Sequence, residues 1–317
     1  MSTSTSHQPD DAGLGAVDRV LVQDIDAAEG GLLVQPLSDL SRAAAAYLKE
    51  RWPGLPSATR LAFVQAMRQD AEEQIEHNYN RALLVALRDA DAETRLSAID
   101  GLAELDSHVF CVILLEHVED EPDERVRAVE AMALGRFALQ SELDLLDDET
   151  ATRLKDTLLR LCVGDPSAEV RRRALESLGY LAGDSDVVRQ ISEAYESGIH
   201  ALRVSALHAM GRLADPRWLD IVHDELTSDE PELRFEAVTA AGTIGDERSV
   251  IELIDRITDE DVEVQMAAIA SLGTIGGQLA INTLRTLTED DSEAIVDAAE
   301  DALEEARLIS NPLRPLM

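Results

Sequence analysis

Apolar and polar positions follow the period of an α-helix along most of the chain. Within residues 249–257 the apolar positions are three or four residues apart: Val250, Leu253, Ile254 and Ile257. A short acidic loop follows, and residues 262–273 repeat this spacing: Val264, Ala268, Ile269 and Leu272. Each set falls on one face of an amphipathic helix, so the pattern predicts two helices joined by a short loop.

The second helix of this pair recurs at a fixed interval. Residues 202–211 read LRVSALHAMG, residues 233–242 read LRFEAVTAAG and residues 264–273 read VQMAAIASLG, with 31 residues between equivalent positions. Seven copies align on the second letter: Arg95, Arg127, Arg171, Arg203, Arg234, Gln265 and Val296. One interval is 44 residues, which predicts an insertion of about a dozen residues near 141–151.

Two other positions keep the same phase as the arginine. Six residues before it stands an acid or a serine: Asp89, Glu121, Asp165, Ser197, Ser228, Asp259 and Asp290. Eight residues after it stands a glycine in five copies: Gly135, Gly179, Gly211, Gly242 and Gly273. The acid is predicted to cap the start of the second helix and the glycine to end it. Neither helix buries its apolar face alone, so the pairs are expected to stack.

This arrangement, D-x5-R-x7-G with an alanine-rich second helix, resembles HEAT repeats of the short, phycobilisome-lyase-like type over residues 78–308. The resemblance implies an all-α fold, a right-handed α-solenoid of about seven two-helix repeats. It also implies a ladder of acid and arginine side chains between repeats, with Asp165 and Arg171 as the best match. The ladder is expected to fade where Gln265 and Val296 replace arginine.

The segments outside the repeats have a different character. Residues 1–34 are polar and acidic, which predicts a largely disordered tail. Residues 35–77 are predicted to form a helical N-terminal cap, with helices near 37–51 and 57–76 separated by the prolines of WPGLP. The second of these is expected to bury one apolar face: Leu61, Val64, Ala71 and Ile75. For the tail 309–317, packing against the last repeat is favoured over a role as a short binding motif.

Charge restricts the partners that the chain can have. Acidic residues number 63 against 28 basic ones, for a net charge of −35. Such an excess is typical of salt-adapted proteins, although an acidic mesophilic protein remains the alternative. Without a basic surplus, binding to nucleic acid is disfavoured. The sequence also lacks a signal-peptide pattern and a long apolar run, so it predicts a cytoplasmic, monomeric protein with no membrane partner.

Candidate chemistry is sparse. Cys111 and Cys162 lie in apolar runs and are predicted to be buried structural thiols. The seven histidines form no two-histidine or Cys–His pattern typical of zinc sites, and no nucleotide-binding or nucleophile motif is present. We therefore assign no catalytic, metal-binding or cofactor-binding residue. Some proteins of this repeat class are di-iron hydroxylases or bilin lyases, but the chain contains no His-Glu dipeptide and only 3% aromatic residues.

A candidate partner site lies on the second helices. In the family pattern, the residues one and five positions after the arginine are commonly charged and face outward. Three successive repeats depart from this pattern, because Val204, Phe235 and Met266 occupy the first of these positions. They either pack between helices or form an apolar strip on the concave surface, where solenoids bind extended partners. The arginine run at 171–173 either pairs with nearby glutamates or contacts an acidic peptide.

These residues lead to one main functional hypothesis, a non-catalytic scaffold or adaptor that binds protein partners on its concave face. The partner site of this hypothesis consists of six residues: Val204, Phe235, Met266, His208, Arg171 and Arg172. The alternatives are a cofactor-handling enzyme of the bilin lyase or hydroxylase type and a prokaryotic signalling adaptor.

The charge excess generates a first testable prediction. If it reflects salt adaptation, the thermal midpoint of unfolding should rise from low salt to molar KCl, because salt screens the repulsion between carboxylates. Calorimetry or circular dichroism over a KCl series measures this directly. A midpoint that stays flat or falls would show that the carboxylates serve another purpose.

Overall fold

The computed structural model describes residues 11–23 and 32–310, which form α-helices, short 3-10 helices and no strand. The α-helices are α1 (Asp11–Leu21), α2 (Arg42–Arg51), α3 (Ser57–Glu73), α4 (Asn80–Ala86), α5 (Ala92–Gly101), α6 (His108–Asp120), α7 (Glu124–Glu142), α8 (Asp148–Gly164), α9 (Ala168–Leu178), α10 (Ser185–Glu196), α11 (His200–Leu213), α12 (Leu219–Glu225), α13 (Pro231–Ile244), α14 (Val250–Arg256), α15 (Val262–Ile275), α16 (Gly277–Leu287) and α17 (Glu293–Ser310). The described 3-10 helices are Gln35–Leu37, Trp52–Gly54, Pro216–Trp218 and Glu247–Ser249. The predicted all-α class is confirmed.

The chain divides into two compact units, Met1–Ala133 and Leu134–Met317, with the boundary inside α7. In the first unit, α2 contacts α4, and α3 contacts α5. In the second unit, α9, α11, α13, α15 and α17 contact one another in chain order, and each packs against the helix before it. These five are the second helices of successive pairs, as the repeat period predicts.

The predicted disorder of residues 1–34 is wrong for part of that range. Helix α1 lies within it and packs against α2, with Val17 and Val20 completely buried. These valines are three residues apart, so a short amphipathic segment gains order by burying one face on the cap. The remaining residues of the range, 1–10 and 24–31, lie outside the described residues, as does the tail 311–317.

The N-terminal cap is helical, as predicted, but it buries a different face. The chain breaks between α2 and α3 at the predicted prolines, where Trp52–Gly54 forms a 3-10 turn. Helix α3 buries Phe63, Val64 and Met67, whereas Ile75 lies beyond its end and is 96% exposed. The predicted apolar face extended to Ile75, but the helix ends at Glu73, so Ile75 is not part of it.

The predicted insertion is present as longer helices. Helix α7 has 19 residues and α8 has 17, whereas α12 and α14, which correspond to α8 in later repeats, have seven each. Only residues 143–147 connect α7 to α8. Both cysteines are buried thiols outside any disulfide, as predicted, and burial raises the pKa of Cys162 to about 11.

Among the repeat glycines, Gly179 follows the last residue of α9, as predicted, but the other four lie inside their helices, contrary to the prediction. Gly211 and Gly242 lie inside α11 and α13, and α13 ends at Gly245, whose φ is 72°. The interior glycines instead face the next second helix. A methyl group added at Gly211 would lie 2.8 Å from the Cα atom of Ala240, too close for any real Cβ atom. Glycine is therefore required here by the close approach of two helices.

This contact generates a second prediction. Alanine normally stabilises a helix interior relative to glycine by about 1 kcal/mol. At Gly211 the sign should reverse, and Gly211→Ala should lower the free energy of unfolding by about 1–3 kcal/mol, because α11 and α13 must move apart. Urea unfolding at fixed KCl concentration measures the change.

Gly164→Ala is the matched control. Gly164 is the last residue of α8 and has no atom within 4 Å of an added methyl group. This variant should be neutral or slightly stabilising. Equal effects of the two substitutions would contradict the close-contact explanation.

Candidate partner-binding site

Two second helices carry a buried arginine, Arg95 or Arg234, that links its repeat to the next. In the first unit, Nε of Arg95 donates to Oε2 of Glu121 at 2.8 Å. In the second unit, Nε and Nη2 of Arg234 donate to the two carboxylate oxygens of Asp259 at 3.0 and 2.8 Å. Nη1 of Arg234 also donates to the carbonyl oxygen of Ser228 at 2.9 Å. Each of these guanidinium groups thus joins the start of its own helix to the next repeat.

The cap contains an equivalent link that the sequence analysis missed. Arg60 on α3 donates to both carboxylate oxygens of Asp89, at 2.6 and 3.0 Å, so the cap is itself a divergent repeat. No glycine stands eight residues after Arg60, so the cap does not match the repeat pattern in the sequence. In the second unit, Ser228 occupies an acid position, and Arg203 pairs instead with Glu225 on α12.

The acids of the ladder do not serve as N-caps, which corrects the prediction. Asp91 and Asp261 are the residues that cap α5 and α15, by accepting from backbone amides of the first turn. Asp89 and Asp259 stand two residues earlier, where one carboxylate oxygen accepts from the amide of the capping residue. Their carboxylates instead accept hydrogen bonds from the arginine of the preceding repeat.

The ladder weakens at two positions. Arg171, in the repeat predicted to match best, donates to the backbone carbonyl oxygens of Asp165 and Pro166 at 2.7 and 3.2 Å. The next acid position is Ser197, which has no carboxylate to offer. Toward the C-terminus, Gln265 keeps only a backbone bond, from Nε2 to the carbonyl oxygen of Ile257 at 2.6 Å. The expected fading is therefore seen at this residue.

The apolar strip, defined as Val204, Phe235 and Met266, lies one residue after the ladder position on α11, α13 and α15. Phe235 is 37% exposed, and the other two side chains are half-buried. Helix α13 contacts both α11 and α15. The three side chains consequently form a partly exposed row across three neighbouring helices.

Charged pairs flank the strip. One turn further along α11, Nδ1 of His208 lies 3.2 Å from Oε2 of Glu236 on α13. On α9, Arg172 occupies the position equivalent to Val204 and forms ion pairs with Glu169 at 3.1 Å and Glu176 at 3.6 Å. Arg173 forms ion pairs with the same two glutamates, at 2.8 and 3.1 Å, so two of the three arginines of the run pair with nearby carboxylates.

A separate cluster in the first unit was not found from the sequence. His117 near the end of α6, Glu121 just after it and Glu130 on α7 each place one possible metal-binding atom within 4.8 Å of the others. The available signal was the four-residue spacing of His117 and Glu121, which puts both on one helix face. Glu130 lies 13 residues after His117, outside any histidine pair or His-Glu dipeptide, and only the tertiary structure brings the two together.

Comparisons with known proteins agree with this architecture. A model of HEAT repeats matches residues 156–224 and 219–304. A structure of the Kap95:Nup1 complex contains a chain 13% identical to this one, covering 95% of this chain and 44% of that one, with a TM-score of 0.57. A structure of Kap95p with RanGDP gives 14% identity, coverage of 86% and 42%, and a TM-score of 0.56.

A third structure, the complex of CpcE and CpcF of phycocyanin lyase from Nostoc sp. PCC7120, gives 17% identity, coverage of 90% and 99%, and a TM-score of 0.50. No curated protein matches the chain. Residues 156–304 are thus HEAT-like repeats, since the repeat model matches there and the stacked helix pairs of the second unit agree with it. Among the described helices, none is long and apolar enough to cross a membrane.

The ladder generates a third prediction. Arg234→Leu leaves the buried carboxylate of Asp259 without its guanidinium partner, and such a loss typically costs about 3–5 kcal/mol. Urea unfolding should detect this at neutral pH. Arg248→Leu is the control, because Arg248 pairs with Asp246 at 2.9 Å on the exposed surface, where solvent screens the pair, and its loss should change the stability far less.

The same variant should show a defined pH dependence. Burial alone would raise the pKa of Asp259, but hydrogen bonds from Arg234 and the amide of Asp261 hold the pKa below its ordinary value. A carboxyl whose pKa is lowered on folding stabilises the fold fully above its unfolded value of about 4, and less as the pH falls further. The difference between wild type and Arg234→Leu should therefore shrink below about pH 4; a constant difference would argue against the charge pair.

Proposed function

We propose that the chain is a non-catalytic scaffold or adaptor that binds a protein partner across α9, α11, α13 and α15, with Phe235 at the centre of the contact. One observation carries this proposal. Of the two Trp, four Tyr and four Phe residues, all of them among the described residues, Phe235 alone is exposed. An aromatic side chain left in water gains free energy when a partner buries it, which is why aromatic residues are frequent at binding hot spots.

The neighbours of Phe235 suit an extended segment. Val204 and Met266 continue the apolar surface on either side, on helices that contact α13. Packed helices lie about 8–10 Å apart, so the strip spans about 16–20 Å from α11 to α15. An extended peptide of about five or six residues covers that distance. The three side chains are therefore spaced to accept alternate side chains of one partner strand or loop.

The charges around the strip restrict the charge that a partner segment can carry. Glu232 and Glu236 flank Phe235 on α13, and Glu263 stands one turn before Met266 on α15. With the net charge of −35, these carboxylates favour a neutral or basic segment over an acidic one. The partner expected here offers an apolar side chain with basic residues on either side of it.

The similar structures support a binding role for this kind of architecture. Kap95p is bound to RanGDP in one of them and Kap95 to Nup1 in another, and CpcE is bound to CpcF in the third. We carry over from them only the expectation of a protein partner. The monomeric state of the unbound chain stays a prediction.

Phe235→Ser provides the fourth prediction. A hot-spot aromatic contributes at least about 2 kcal/mol to binding, so the substitution should weaken partner affinity about thirtyfold or more. Folding should change little, because the side chain is only partly buried. Phe137→Ala is the matched stability control: Phe137 is fully buried, and its truncation should cost about 3–5 kcal/mol. A thermal melt of both variants separates an exposed contact residue from a core residue.

Binding is measured by comparing immobilised wild type, Phe235→Ser and Ile251→Ser in extract of the native host, and then with the purified partner. Ile251 is an apolar residue 65% exposed on α14, outside the strip, and its variant should bind like wild type. A partner retained equally by wild type and Phe235→Ser would show that the strip is not its site.

A further inference from the structure

Three side chains converge near the junction of α6 and α7: His117 on α6, Glu121 just after it and Glu130 on α7. Nδ1 of His117 lies 2.6 Å from Oε1 of Glu130 and 3.7 Å from Oε2 of Glu121. Glu130 is completely buried and Glu121 almost so, while the His117 side chain retains about 13% exposure. The cluster is thus enclosed by protein, with an approach from solvent along the imidazole.

One oxygen of this cluster has no partner. Oε2 of Glu130 is buried and accepts no hydrogen bond, although its sister atom Oε1 contacts His117. A buried carboxylate oxygen without a partner loses its hydration and gains no hydrogen bond in return, which destabilises the fold. Desolvation accordingly raises the pKa of Glu130, against the opposing effect of His117. A buried polar atom of this kind is commonly satisfied by a bound water molecule or ion.

Glu121 also has a free acceptor position that points the same way. Its Oε1 accepts from Nη2 of Arg95 and from the amide of Asp123, whereas Oε2 accepts only from Nε of Arg95. A carboxylate oxygen has two lone pairs, so Oε2 retains one, and Nδ1 of His117 lies 3.7 Å from this oxygen. Arg95 holds this carboxylate in place as the outer partner of a metal ligand does. Two carboxylates against one guanidinium leave the cluster negative when the imidazole is neutral.

We propose that His117, Glu121 and Glu130 bind a divalent transition-metal ion, with Zn²⁺ as the best match. One imidazole nitrogen and two carboxylate oxygens are zinc ligands, and the nitrogen disfavours Mg²⁺ and Ca²⁺. Bond lengths of about 2.0–2.2 Å place tetrahedral ligands about 3.3 Å apart. Binding therefore replaces the direct contact between His117 and Glu130 with a metal bridge, and water completes the coordination.

The ion would act as a cross-link within the first unit. It connects the end of α6 to the first turns of α7, neutralises the buried charge of Glu130 and gives Oε2 a partner. Because binding is linked to folding, the free energy of unfolding rises with the concentration of free metal. This site is independent of the apolar strip, which belongs to the second unit.

The proposal is tested on the full chain after treatment with a chelator, in KCl to suppress weak binding to surface carboxylates. Co²⁺ is the probe, because low-coordinate Co²⁺ absorbs visible light far more strongly than the hydrated ion. Wild type should develop this absorption at a stoichiometry of one, lose it when Zn²⁺ is added, and melt at a higher temperature in Zn²⁺. Glu130→Gln and His117→Gln should weaken metal binding at least tenfold and lose the absorption.

His200→Gln is the matched control, since His200 forms an exposed pair with Glu232 at 2.8 Å and should leave the spectrum unchanged. Circular dichroism shows whether the variants are folded. If Glu130→Gln is unfolded, His117→Gln and the wild-type spectrum decide the matter. Folded wild type without the Co²⁺ absorption, or equal Zn²⁺ effects in wild type, His117→Gln and Glu130→Gln, would falsify the site and leave a buried His–Glu pair.

Discussion

The structure of the second unit depends on how closely its second helices approach one another. A glycine of each helix faces a small residue of the next: Gly179 faces Ala209, Gly211 faces Ala240, Gly242 faces Ser271 and Gly273 faces Ala302. An added methyl group at these glycines would meet the facing residue at 2.5–2.8 Å. Small side chains permit dispersion contact between whole helix surfaces, and they also fix the register, because only one axial position places glycine against alanine.

The fixed register determines what the other repeat positions can do. It brings Arg234 beside Asp259, so a buried guanidinium and a buried carboxylate neutralise each other between repeats. It also places the residue after each ladder position in a row across neighbouring helices. On α9 and α17 this position holds the charged residues Arg172 and Asp297, but the helices between them hold Val204, Phe235 and Met266. The same packing that builds the core therefore presents the candidate binding surface.

Sequence reasoning went wrong where a local pattern has two explanations. A glycine near the end of an apolar run indicates a helix end or a close helix contact, and the spacing alone does not separate them. The true end of α13 is Gly245, three residues after the repeat glycine. Likewise, the acid before each second helix has roughly the spacing of an N-cap. Asp259, however, lies two residues before the residue that caps α15, and its carboxylate binds Arg234. In both cases the partner lies in another repeat.

The sequence by itself determined the repeat period, the paired helices, the buried faces such as Val264 and Ile269, and the position of the insertion. These depend on apolar spacing within one helix, which is a local property. Only the tertiary structure decided that Arg60 makes the cap an additional repeat, that Phe235 stays exposed, and that Glu130 meets His117. Each of these depends on distances between residues of different helices. Those distances are fixed only when the apolar faces of the helices pack against one another.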